Sequence, residues 1–153
     1  MNRELGKFLK KEGFREPDGM IEDLYDEDSL SAIPKKPGVY IFQSKSQQNK
    51  SQKFVYPSGE SQVIYIGMSK NLHSRIKDHH KTVTNIKRLS KSEILNDWHY
   101  TRYLYINSFG CQVHFFTTRG TQKEKNLESE IIEKFYDRFY ALPIGNGAFS
   151  FKK

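Results

Sequence analysis

One cysteine, one tryptophan and three methionines are all that 153 residues contain of those types. The single thiol, Cys111, excludes an internal disulfide, and with it a cysteine-built structural zinc site. No apolar run approaches the roughly 20 residues of a membrane helix. Mean hydropathy is −0.76, and the opening "MNRELGKFLKKEGF" lacks the apolar core of a secretory leader. These absences lead us to expect a soluble, cytoplasmic chain with no membrane partner. Acidic residues are also missing from one long stretch, since none occurs between Ser29 and Gly59, where Lys35, Lys36, Lys45, Lys50 and Lys53 accumulate.

The charge that is present is unevenly placed. Up to Ile33 there are five Lys/Arg and nine Asp/Glu, or −4; with the whole chain at +7, residues 34–153 carry +11. Such a field suits a phosphate-bearing polymer, because Lys and Arg contacts to phosphates release condensed counterions. The length suits one domain with appendages. We divide it into a helical and acidic extension, 1–33, and a main domain, 34–153.

Along the chain, "GKFLKKEGF" reads as a short amphipathic helix stopped by Gly13, and "EPDGMIEDLYDEDS" as an acidic segment containing turns. "SAIPKKPG" then breaks any helix and leads into a strand over Val39–Phe42. A second strand covers Val63–Met68. The polar insert between them, "SKSQQNKSQKFVYPSGESQ", reads as a long mobile hairpin tip with one aromatic island at Phe54–Tyr56. Ser69 is the expected cap of a helix whose Leu72, Ile76 and Val83 form one apolar stripe. "LSKSEILNDWHYTRYLYINSFG" reads as a helix through Leu95, after which its tyrosines fit a helical turn or a strand equally well. "CQVHFFTTRG" is the third strand, and Gln122–Leu142 a long helix ended by Pro143. The class is α/β.

On that last helix Glu128 falls in the middle of the stripe formed by Ile131, Ile132, Phe135 and Phe139, whereas Glu130 and Glu133 face away. A carboxylate on a core-facing stripe is costly unless it is paired or holds a cation. Both a salt bridge to Arg75 and a metal ion would satisfy it. Arg75 and His79 stand one helical turn apart and so lie side by side. A guanidinium offers planar donors suited to phosphate, and an imidazole can move protons near neutrality. His73, His80, His99 and His114 receive no role from the pattern.

"GVY" at 38–40 and "YIG" at 65–67, followed by "SKNLHSRIKDH", a late glutamate in "ESEIIEKF" and the asparagine of "PIGN", together resemble the GIY-YIG nuclease family. The resemblance spans roughly residues 33–146 and rests on the order of the motifs. It implies a small three-stranded antiparallel sheet flanked by helices, in which the two motif tyrosines share one active site. By the same resemblance Tyr40 and Tyr65 are those tyrosines, Gly38 and Gly67 the motif glycines, Arg75 the arginine of the next helix, Glu128 the metal ligand and Asn146 the terminal asparagine. His79, one turn after the arginine, and the long insertion between the tyrosines are similar to the family's restriction-enzyme branch. The implied activity is hydrolysis of DNA phosphodiesters with one Mg²⁺ or Mn²⁺ on Glu128. Tyr40 would position or deprotonate water with help from His79, and Tyr65 would bond the phosphate or the water. Lys45, Lys50, Lys53, Lys70 and Lys77 are the expected DNA contacts. Two other readings compete: a catalytically weak nucleic-acid-binding module using the insert and the aromatics near Trp98, and an α/β binding domain carrying the motif by accident.

Overall fold

The computed structural model describes residues 3–45, 53–86 and 99–146. Helix α1 spans Arg3–Lys11 and is followed by strand β1, Gly19–Ile21, and a 3-10 turn over Glu27–Ala32. Strand β2 is Gly38–Gln43. A small ribbon, β3 (Phe54–Tyr56) and β4 (Gly59–Ser61), precedes β5, Val63–Ser69, and helix α2, Leu72–Asn85. Helix α3 (His99–Phe109), strand β6 (Gln112–Thr117) and helix α4 (Lys123–Phe139) complete the order.

All six residues of "GVYIFQ" in β2 are buried, as a strand must be when it is paired on both sides and covered on both faces. It lies between β5 and β6, antiparallel to each, in a four-stranded sheet of order β1-β6-β2-β5. Three strands were expected, and the fourth comes from the acidic segment of the extension. Met20 pairs with His114, and Gly19 and Ile21 with Phe115 and Val113. Three residues are too few to show a period of two. What holds them is partly a side chain: the Asp18 carboxylate accepts from the Thr117 amide at 2.6 Å and from its hydroxyl at 2.9 Å.

Strand alternation divides the sheet into two faces. Tyr40 and Phe42, with Tyr65 and Gly67 opposite them, project to one side; Val39, Ile41 and Gln43 project to the other. Helices α2 and α3 cover the first face, where the His79 ring lies 4.9 Å from Phe42 and 5.7 Å from Tyr103. Helices α1 and α4 cover the second. Phe8 meets Phe135 edge to face at 6.1 Å, and both border a cavity of about 340 Å³ that also reaches Gln43.

Several local expectations change in this setting. Pairing with β2 carries β5 through Gly67 to Ser69, so the helix cap moves to Asn71, which accepts from the Ser74 amide at 3.1 Å. Helix α4 stops before Pro143, at Tyr140, whose left-handed backbone (φ 56°) closes it with a bond to the Tyr136 carbonyl. The aromatic island belongs to the core, since Phe54 and Tyr56 are buried. The Tyr56 hydroxyl accepts from the Ile144 amide at 2.9 Å and so ties the insert to the end of the chain. The ambiguous tyrosine segment is helical in α3, with Arg102, Tyr103 and Ile106 inward. Lys50, Trp98 and the helix expected through Leu95 lie outside the described residues. Among the described residues no helix is long and apolar enough to cross a membrane.

Candidate active site

The two motif strands place Tyr40 and Tyr65 on one face with ring centroids 6.0 Å apart. Both motif glycines are required by close approach. A Cβ on Gly67 would lie 2.5 Å from the Tyr40 hydroxyl, and one on Gly38 would overlap the Phe116 carbonyl and the end of Leu72. The first leaves room for the Tyr40 ring; the second lets the start of α2 settle on β2. Helix α2 then delivers His79, whose Nε2 is 2.8 Å from the Tyr40 hydroxyl and whose Nδ1 is 2.8 Å from the Tyr103 hydroxyl. Arg75, one turn earlier, lies close enough to the Tyr40 phenol to interact with it electrostatically. Arg102, from α3, stacks its guanidinium 3.9 Å over the Tyr65 ring, close enough for a favourable cation–π contact.

Burial dominates the electrostatics. It raises the Tyr40 phenol well above its ordinary range, with Tyr65 adding to the rise and Arg75 and Arg102 opposing it. It also drives His79 well below the usual imidazole value, and the same two arginines push further in that direction. Burial works against the Arg75 cation too, but Tyr40, Tyr103 and Tyr65 outweigh it and raise its pKa. At neutral pH the cluster therefore holds protonated Tyr40, a neutral imidazole and two guanidinium ions. Tyr40 is 1 % exposed and His79 is fully buried, while Tyr65 and Arg75 are only partly covered. The tyrosine and arginine at the mouth can reach a ligand, and Tyr40 with His79 stands behind them.

Glu128 belongs to α4 rather than to the helices that carry this cluster. It is part-buried on α4, which packs against β5 and β2, and it makes no ion pair with Arg75. Burial raises its carboxyl to about 7, and Lys125 only partly opposes the rise. Glu124, one turn earlier, is 5 % exposed, so two carboxylates share this stretch of the helix; Glu130 and Glu133 are exposed. Among the described residues no three His, Cys, Asp or Glu side chains converge as a metal cluster.

Asn146 closes the free edge of β5. Its amide accepts from the Ile66 N–H and donates to the Ile66 carbonyl, both at 3.0 Å, so it extends the sheet's ladder beside the Tyr65–Gly67 segment. Of the expected DNA contacts, Lys70 and Lys77 are exposed. Lys45 stands 3.7 Å from Asp23 and Lys53 2.5 Å from Glu4, each an acidic residue of the extension. His73 and His80 also serve the extension, donating from Nδ1 to the carbonyls of Leu30 and Leu24 at 3.1 and 2.7 Å.

Arg102 and Tyr103 escaped the sequence reading because the period of their segment was ambiguous and neither belongs to a motif. An arginine set among tyrosines in "YTRYLY" was the signal available. No family model, curated protein or solved structure matches the chain.

Proposed function

We propose that the protein is a divalent-metal-dependent DNA endonuclease of the GIY-YIG kind. The observation that supports this most is the meeting of Tyr40, Tyr65, Arg75 and His79 on one sheet face, with the Tyr40 hydroxyl 2.8 Å from a neutral imidazole nitrogen. In this reading a water oxygen attacks phosphorus, and the bond from phosphorus to the sugar oxygen breaks. Tyr40 takes the water's proton as its own passes to Nε2 of His79, and the departing oxygen gains a proton from solvent. Arg75 and Tyr65, at the mouth, hold the phosphate oxygens as negative charge develops there. Arg102 adds a second fixed positive charge behind Tyr65.

Glu128 fits a bound cation: it is a part-buried carboxylate raised to about 7, with no arginine ion pair among the described residues, and Mg²⁺ is commonly held by one or two carboxylates with waters and phosphate completing its shell. A Mg²⁺ or Mn²⁺ there would supply Lewis-acid stabilisation of the phosphate and of the leaving oxyanion. The basic balance of residues 34–153 supports DNA as the partner.

The burial of Tyr40 at 1 % exposure favours a second reading, a nucleic-acid-binding module with little turnover, because water must enter before that phenol can act on it. Incubating the purified protein with supercoiled plasmid in Mg²⁺, Mn²⁺ or EDTA separates the two. Nicked or linear product that requires metal is the expected result. Binding without cleavage under every condition would leave the module.

A further inference from the structure

The last residue of β2 carries a side chain that the fold does not satisfy. Gln43 is fully buried, yet neither its amide nitrogen nor its amide oxygen has a hydrogen-bond partner among the described residues. A primary amide can donate twice and accept twice, and burying it unmet is unfavourable in a way that a bound partner would relieve. The β2–β5 register shifts between Phe42 and Gln43, an irregularity of the kind that re-aims a side chain. Gln43 projects to the sheet face covered by α1 and α4 and borders the cavity of about 340 Å³ that those helices line. That volume lies within the range of small-molecule sites.

Other polar walls of this cavity are already engaged. Gln62 donates to the Ser44 carbonyl at 3.1 Å, the Ser61 hydroxyl accepts from the Val63 amide at 3.1 Å, and Glu4 is paired with Lys53. Phe8, Phe135 and Phe139 add flat apolar surface, the last two with ring centroids 4.5 Å apart. At the rim Lys7, Lys11 and Arg138 are exposed, against one exposed carboxylate, Glu60. A matching ligand needs an edge with a donor beside an acceptor to meet the amide, a flat ring to lie against the phenylalanines, and a negative group to reach the cations. A nucleoside monophosphate has all three, and glutamine pairs with adenine through two such bonds in DNA grooves.

We propose that this cavity is a binding site for a nucleoside monophosphate, with the edge of the base on the Gln43 amide and the phosphate toward Lys7, Lys11 and Arg138. It lies on the sheet face opposite Tyr40 and Tyr65, so it is separate from the candidate active site and does not rest on the nuclease reading.

Titrating AMP, GMP, CMP and UMP separately into the full chain tests this, with affinity read by calorimetry and the Gln43 side-chain NH₂ signals read by nuclear magnetic resonance after triple-resonance assignment. At least one nucleotide should bind and move the Gln43 signals. Gln43→Leu should weaken that nucleotide roughly 10- to 100-fold, as loss of a two-bond pair to a base does. Its ligand-free melting temperature should stay at or above that of the wild type, because an unmet amide has left the interior. Replacing Lys7, Lys11 and Arg138 together by Gln should reduce the affinity to that of the corresponding nucleoside, and ribose 5-phosphate should bind far more weakly than the nucleotide. Arg75→Ala, on the opposite face, should leave the affinity unchanged. If Gln43→Leu fails to fold, the wild-type Gln43 signals and the rim variant still decide the matter. No binding of any of the four at millimolar concentration, unmoved Gln43 signals in the bound protein, ribose 5-phosphate as tight as the nucleotide, or a loss in Arg75→Ala with none in Gln43→Leu would overturn the proposal.

Discussion

Arg75 takes its electrostatic support from the phenols of Tyr40, Tyr103 and Tyr65 rather than from a carboxylate, so its loss should be felt in chemistry before it is felt in folding. Arg75→Ala should lower single-turnover cleavage on the order of 10²-fold or more, as removal of one transition-state donor does elsewhere, with DNA affinity and melting temperature little changed. Arg75→Lys should rescue poorly, for an ammonium lacks the planar fork. A sharply lower melting temperature with normal cleavage per folded molecule would instead make Arg75 structural. Glu128 gives a residue-scale prediction in pH. Its folded pKa, about 7, lies above the ordinary carboxyl value of 4.5, so the folded state holds the proton more tightly than the unfolded chain. Stability is full below pH 4.5 and is lost as pH rises through about 7. In metal-free buffer Glu128→Gln should therefore melt higher than wild type at pH 8, with the gap closing toward pH 5. Added Mg²⁺ should raise the melting temperature of the wild type alone. A gap that is constant with pH would show that the carboxyl titrates normally.

At the scale of elements, β1 and β6 depend on polar groups that their apolar residues do not explain. Asp18 is drawn two ways: partial burial pushes its pKa up, but hydrogen bonds from Arg15 and Thr117 win and lower it. Losing those charge-assisted bonds in Asp18→Ala should cost about 1–3 kcal/mol. Faster hydrogen exchange confined to the β1–β6 pairing would locate the loss, and unaltered exchange there would mean the ladder alone holds the strand. On β6, His114 is fully buried with no hydrogen-bond partner at either ring nitrogen among the described residues, and burial lowers its pKa to about 4. A depressed folded pKa contributes stability that is present above about 6.5 and lost as pH falls toward 4. His114→Leu should thus melt higher than wild type at pH 4.5 by a larger margin than at pH 7.5. A margin independent of pH would place the acid sensitivity elsewhere.

Across the whole molecule, the acidic extension and the basic domain are complementary rather than separate. Asp23 and Glu4 reach Lys45 and Lys53, and His73 and His80 clamp the backbone of the same extension to α2. Exposed ion pairs of this kind are individually weak, yet they engage two lysines of the insert, whereas Lys70 and Lys77 are in no such pair among the described residues. Lys70 and Lys77 remain exposed at and along α2, the helix that carries Arg75. Changing both to Gln should therefore reduce the slope of log K against log salt by up to about 0.9 per lost phosphate contact. The same change at Lys45 and Lys53 should have a smaller effect. A larger effect from the second pair would assign DNA contact to the insert.

The elements that the chain's own pattern determined are those whose burial is periodic over a local window. Alternation announced β2, β5 and β6, the stripe of Leu72, Ile76 and Val83 announced α2, and the wheel placing Glu128 among Ile131, Ile132 and Phe135 announced the inner face of α4. Two tyrosine strands followed by Arg75 and His79 were legible for the same reason, since each residue sits at a fixed phase of its element. Tertiary structure alone decided the rest. β1 is too short to carry a period and exists because β6 has a free edge and Asp18 can reach Thr117. Phe54 and Tyr56 looked like a surface island because the insert around them is polar, and they are core because Phe135, Phe139 and Tyr105 meet them from distant parts of the chain. Arg102 and Tyr103 enter the site because α3 crosses α2 beside Tyr65 and His79. A local pattern records which face of a segment is buried, whereas the partner waiting on that face, and so the chemistry it can perform, is set by chain packing from elsewhere.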